Sequence, residues 1–251
     1  MDFFDINVYA GSSGTGTYRP ARSKTELCAE LDRLGITKAL LWHIAQCEVS
    51  APDGNRLVSE MVSENPNIYG TWAVLPPQTE EQEKPEIFFS RMKNCGIHAL
   101  RIFPQPHRFL LNRTVFGEFL DAVAERKIPV LFSISRNDVT WDGLYQILTD
   151  YPKLVCVICD TGIWGTDRSF RPLVEKYENV YVETSLMSLG EGVMEAFVRD
   201  YGPHRLLFGS GFPERIPEAA MLQLLHADIK DEEKEAIACT NSERIIAEAE
   251  L

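Results

Sequence analysis

Eight strand signals each followed by a helix signal, strands that are mostly apolar rather than alternating, and a length of 251 residues predict an α/β fold, a single (β/α)8 TIM barrel with extra C-terminal helices. Apolar strands are what a parallel sheet covered on both faces requires. No Pro/Gly/Ser linker or shift in composition divides the chain, so residues 1–251 are expected to form one domain. A doubly wound open sheet is the competing fold. Its glycine turn is missing, because Gly11-Ser-Ser-Gly-Thr-Gly has neither the P-loop lysine nor the G-x-G-x-x-G order.

Residues 3 to 11 read as the first strand, with Phe4, Ile6 and Val8 on one face and Asp5, Asn7 and Tyr9 on the other, polar and inward one. After the loop Gly11 to Arg22, Ser23-Lys-Thr-Glu26 is a capping box that opens a helix carrying Leu27, Leu31 and Leu34 and closed by Gly35. Ala39 to Ile44 is the second strand, a helix spans about 54 to 64, and Asn65-Pro66 stops it. Ile68 to Leu75 is the third strand. Thr79-Glu-Glu-Gln82 is expected to begin the next helix, interrupted at Pro85 and closed at Gly96. Strands follow at His98 to Phe103, Ile128 to Ile134, Leu154 to Cys159, Val180 to Ser185 and Arg205 to Phe208. Helices near 114–126, 140–150, 168–178 and 190–201 separate them, and helices near 215–226, 231–239 and 241–249 form the tail, the last capped by Asn241 or Ser242.

Composition narrows the function. A formal net charge of −12 without a Lys/Arg-rich run argues against nucleic acid or an anionic membrane as partner, which leaves a small-molecule ligand. Strand-like sequence begins at residue 3 and no apolar stretch approaches a membrane span, so a cytoplasmic location is expected. The six cysteines are scattered. Cys156 and Cys159, three apart on one strand, face opposite ways, so reduced buried thiols are expected rather than a redox or zinc pair.

In such a barrel the site lies where the strands end. Period two selects Asn7 and Tyr9, His43, Ala73, Arg101, Ser133 and Ser135, Asp160, Glu183 and Gly211 as the inward residues there. Asp160 and Glu183 on neighbouring strands could form a carboxylate pair for acid/base chemistry with His43 beside them. Arg101 offers a fork for a substrate carboxylate or phosphate. Asn7, Tyr9 and Ser133 read as pocket lining, with His107 and Trp164 in the loops above. The opposing expectation is a buried ion network of Arg101, Asp160 and Glu183 that only balances charge.

Four segments together carry a resemblance: Phe4 to Gly11, Ile128 to Ser133, Asp150 to Gly162, and Leu206-Leu-Phe-Gly-Ser-Gly-Phe-Pro213. They resemble the amidohydrolase-related family of metal-dependent TIM-barrel hydrolases and decarboxylases, over nearly the whole chain and in order. The resemblance implies a hydrolase or lyase on a small molecule, with zinc held by an H-x-H pair, two further histidines and an aspartate, and a homodimer, since such barrels often pair. At those positions this chain has Asn7, Tyr9, Ser133, Asp160 and Gly211, a poor zinc set. No metal ligands and no cofactor are therefore expected. The alternatives are a catalytically silent binding barrel, and an oxygen-rich Mg2+ or Mn2+ site from Asp160, Glu183, His43 and Asn7.

Overall fold

The computed structural model describes residues 1–14, 17, 19–136, 138–161, 167–187 and 190–251. Among these, eight parallel strands lie in sequence order in one sheet: β1 (Phe3–Ala10), β2 (Ile36–His43), β3 (Ile68–Ala73), β4 (Ile97–Arg101), β5 (Val130–Ser133), β6 (Cys156–Cys159), β7 (Val180–Glu183) and β8 (Leu206–Leu207). The ring is completed where the Ile6 and Tyr9 N–H groups donate to the carbonyls of Phe208 and Phe212, each at 3.0 Å. The expected barrel is the observed one.

Two apolar layers follow from the period of two. Phe4, Ile6, Leu40, Ala99, Leu131, Val157, Cys159 and Leu207 fill the interior, whereas Val8, Leu41, Leu100, Val130, Cys156 and Val182 pack outward against the helices. Cys156 and Cys159 thus face opposite ways, as their spacing requires. The first helix, Lys24–Leu34, starts at the expected N-cap, with the Ser23 hydroxyl accepting from the Glu26 N–H at 3.2 Å, although the Glu26 carboxylate accepts from the Arg22 N–H at 2.7 Å rather than closing the box on Ser23, and it ends at Gly35 in the left-handed region.

Three local expectations need correction. The Thr79–Gln82 box opens no helix; Pro77–Thr79 is a single 3-10 turn, and the helix begins at Pro85 as its first residue, where a missing N–H costs nothing. Several strands stop one or two residues early, β3 and β7 at Ala73 and Glu183, because the chain turns there to form the mouth. Neither Asn241 nor Ser242 caps the last helix. The backbone runs helical from Asp231 through a π turn at Ala236–Thr240 into Asn241–Ala247, and the Asn241 amide instead donates to the carbonyls of Pro203 and Leu206, both at 2.9 Å. That terminal helix places Ile245 and Ile246 against the inner cluster and closes the barrel end away from the mouth.

Candidate functional site

The site starts from a bulge. β1 pairs Asp5 with Ala39 and Val8 with Leu41, three residues advancing against two, so one extra residue lies between them. Strict alternation on β1 therefore fails: Ile6 belongs to the interior, yet its neighbour Asn7 also points into the mouth, bonded to residues of β4, β6 and β7. Asp5, expected on that inner face, braces the bulge instead. One of its oxygens accepts the N–H groups of Asn7 and Ser210, both at 3.0 Å, which ties β1 to the loop after β8. Burial pushes the Asp5 carboxyl up to about 6 despite these bonds.

Asn7 is the hub of a first network. Its amide donates to Asp160 (3.1 Å) and Glu183 (3.2 Å), and its carbonyl oxygen accepts from Arg101 at 2.6 Å. Asp160 also accepts from the Ser133 hydroxyl and the Arg215 guanidinium, and its backbone sits at φ 53, a left-handed conformation that a non-glycine residue adopts at a cost. Burial would raise the Asp160 carboxyl, but Arg215, Ser133 and Arg101 outweigh it and hold it below its ordinary value. Glu183 accepts from the Ser185 N–H and hydroxyl and from the Asp160 N–H, and burial, with Asp160 close by, pushes it up to about 7. Arg215 bridges on to Ser185 at 3.1 Å and Ser135 at 3.2 Å. The structure thus brings Asn7, Arg101, Ser133, Asp160 and Glu183 together, and adds Arg215, which strand-end reasoning missed because it lies beyond β8.

A second cluster lies above the first. Trp42, inward on β2, packs on Tyr9 and Phe103 with ring centroids 4.9 and 5.6 Å apart, and the guanidinium groups of Arg101 and Arg136 lie 4.7 and 5.0 Å from its ring. Arg136 reaches Glu214, which also accepts from the Tyr9 hydroxyl at 3.3 Å, and its Nε lies 3.5 Å from Asp138. Asp138 takes the Cys47 thiol at 3.8 Å, and burial pushes its carboxyl up to about 6 against the pull of Arg136 and Arg101. Among the described residues, buried Nε and Nη1 of Arg101, Nε1 of Trp42, Nε of Arg136 and Oδ2 of Asp138 have no hydrogen-bond partner. Arg101 and Trp42 are each 1 % exposed and Asp138 2 %. A cleft of about 530 Å³ lies on the outer flank, between Glu30 and Arg33 of the first helix and Phe212, Glu214, Arg215 and Ile216 of the loop after β8, and shares Glu214 and Arg215 with this mouth.

The histidines do not join. Leu40 and Trp42 point inward and Leu41 outward, so His43 falls on the outer face, where its Nδ1 accepts from the Ala45 N–H at 3.1 Å and burial lowers its pKa. His107 sits in the short helix Pro104–His107 with its ring 5.7 Å from Phe103 and 6.3 Å from Phe109, and burial lowers it too. Trp164 lies outside the described residues.

Comparison with known proteins agrees with this architecture. The family model described as "Amidohydrolase" matches residues 25–246. The chain belongs to the amidohydrolase family. No curated protein matches its sequence. Solved structures that it resembles include a dihydroxybenzoic acid decarboxylase from Polaromonas with bound manganese and 2-nitroresorcinol (15% identity, 98% of this chain and 97% of that one, TM-score 0.72). A second is 5-carboxyvanillate decarboxylase from Novosphingobium aromaticivorans with manganese (14%, 98% and 96%, TM-score 0.71). A third is a probable 2-pyrone-4,6-dicarboxylic acid hydrolase from Acinetobacter baumannii with citric acid bound (15%, 98% and 100%, TM-score 0.70). At such identities the likeness is one of fold.

The two manganese-bound barrels overturn the expectation of no cofactor, since this architecture does house a divalent ion. The residues at the five family positions do not fit one here. Asp160 is the sole carboxylate among Asn7, Tyr9, Ser133, Asp160 and Gly211, and its oxygens already serve Asn7, Ser133 and Arg215. At Gly211, φ 69, an added Cβ would lie 2.5 Å from Nη1 of Arg215, so the guanidinium fills the space of a side chain there. The oxygen-rich set of Asp160, Glu183, His43 and Asn7 is not assembled, and no group of three or more His, Cys, Asp or Glu able to hold a metal occurs among the described residues.

Proposed function

We propose that this amidohydrolase-family barrel binds a small carboxylic acid at its mouth and acts on it as a hydrolase or lyase, with Arg101 and Trp42 holding the acid. The observation that carries this is the set of buried donors with no partner among the described residues: Nε and Nη1 of Arg101 and Nε1 of Trp42, on side chains 1 % exposed. Buried donors are nearly always satisfied, and a cationic one left open is a site made for an anion. Arg101 uses only Nη2, on Asn7, so Nε and Nη1, which point to different sides of the guanidinium, each remain open to donate a single hydrogen bond to a ligand carboxylate. The acids named for the similar barrels, dihydroxybenzoate and pyrone dicarboxylate, support the same ligand chemistry.

A second reading, a binding barrel without turnover, is supported by the saturation of Asp160 and Glu183, whose oxygens are all engaged. A cytoplasmic location is supported by six free cysteines, and no helix among the described residues is long and apolar enough to cross a membrane.

Titration calorimetry with 2,6-dihydroxybenzoate, benzoate and citrate tests the reading. The wild type should bind at least one of them, Arg101→Met should weaken it by about tenfold or more, and Trp42→Phe, which keeps an aromatic side chain, though a smaller one, and removes the N–H, by a few-fold. Equal affinity in all three proteins would refute it. Turnover of the bound acid, followed by liquid chromatography, separates enzyme from silent barrel.

A further inference from the structure

We infer that the cleft on the outer flank of the barrel is a second ligand site, separate from the mouth, and that it takes a small amphipathic amine: the apolar body lies along Phe212, Pro213 and Ile216, and the ammonium donates to the open carboxylate oxygens of Glu30 and Glu214. The cleft has a volume of about 530 Å³, the size of a small-molecule site, and runs between the first helix and the loop after β8. Its loop wall is apolar. Phe212 and Pro213 are buried behind it, whereas Ile216 stands 70% exposed, so a hydrocarbon laid against the wall removes apolar surface from water.

The charges around the cleft decide the sign of the ligand, because its cations are engaged and its acids are only half used. Arg33 places Nε and Nη2 on Glu30 and Nη1 on Glu218, and Arg19 places Nη1 on Glu30. Arg215 is turned into the barrel, on Asp160, Ser185 and Ser135. The carboxylates differ. Glu30 meets both of its arginines through Oε1 alone, and Glu214 meets Arg136 and the Tyr9 hydroxyl through Oε1 alone. Oε2 of each therefore accepts no hydrogen bond among the described residues, on side chains only 15% and 25% exposed. An acid entering the cleft would find arginines already bonded and two open anionic oxygens beside it. An ammonium finds acceptors with room, makes the stronger, charge-assisted kind of hydrogen bond, and is drawn by a chain whose formal net charge is −12.

Benzylamine and benzyl alcohol are the probes, the same ring with and without the charge. By calorimetry the wild type should bind the amine about tenfold or more tightly than the alcohol. Glu214→Gln and Glu30→Gln, both nearly isosteric, should each narrow that gap to about threefold or less, and the second covers the case in which the first disturbs Tyr9 and Arg136. Ile216→Ser, at an exposed position where folding is not at stake, should weaken both probes by about threefold or more and leave the gap between them. A wild type that binds neither probe, or binds the two equally, overturns the site. So does a benzylamine affinity that stays unchanged in Ile216→Ser or in both glutamine variants, since the amine would then be held elsewhere.

Discussion

Glu183 is wholly buried, shares the Asn7 amide with Asp160, and carries a folded-state carboxyl near 7 where the ordinary value is 4.5. Burial and the neighbouring carboxylate both disfavour its charged form. A raised acid stabilises the fold fully below the unfolded value and loses that contribution as pH rises through the folded one. The window here runs from about 4.5 to about 7. Glu183→Gln lacks the ionisation, so its melting temperature relative to the wild type should climb as pH goes from 4.5 to 7 and level off above. Thermal denaturation of both proteins across that range checks it, and a flat difference would show that Glu183 does not titrate there. At this scale the sequence revealed Arg101, Ser133, Asp160 and Glu183 at the strand ends by period two, although His43, selected the same way, faces outward. It concealed how their oxygens are shared. Asp160 and Glu183 look like an acid/base pair in sequence, and only their partners Asn7, Ser133, Ser185 and Arg215 identify them as saturated. Asp138 and Arg136, in the turn after β5, have no period that marks them.

Between elements, the decisive contacts join β1 to the loop after β8. The bulge at Asp5 to Val8 turns Asn7 inward, and the loop must pass close to Glu183 to bring Arg215 across the mouth. Gly209 permits that passage: an added Cβ would lie 2.4 Å from Oε1 and 2.5 Å from Cγ of Glu183, whose side chain is held by Ser185 and Asn7. Overpacking of this kind costs about 1–3 kcal/mol. Gly209→Ala should therefore lower the melting temperature by several degrees and weaken carboxylate binding, whereas Gly14→Ala, with nothing within 4 Å of its added Cβ, should do neither. Denaturation curves and calorimetry on the pair decide the point. A bulge is a one-residue event without a sequence signature here, which is why alternation misplaced Phe4, Asp5 and Ile6 while Asn7, Tyr9 and Val8 fall on the faces it assigned.

Over the whole molecule the barrel has two unlike ends. The mouth is polar and held by arginines, while the opposite end is closed by Ile245 and Ile246 from the terminal helix, 3% and 6% exposed, packed on Phe4, Leu40, Ala99 and Tyr181 of the interior cluster. The eight β/α units were legible because each strand is an apolar run bounded by turn residues. The plug was not, since Asn241 and Ser242 look like a helix start, whereas buried Asn241 is a hydrogen-bonding anchor beneath β8 and the buried Ser242 hydroxyl has no hydrogen-bond partner among the described residues. If the tail closes the barrel rather than serving the site, stability and binding should separate. Ile245→Ala removes buried methylene groups from an interior that cannot collapse around the gap, a loss of about 2–5 kcal/mol. For a chain of this size that is a fall in melting temperature of roughly 5–15 °C. Affinity for the carboxylic acid should stay within about twofold of wild type, because the plug packs at the opposite end of the interior from the strand ends that carry the mouth's network. A matched loss of binding and stability would instead mean that the two ends of the barrel are mechanically one.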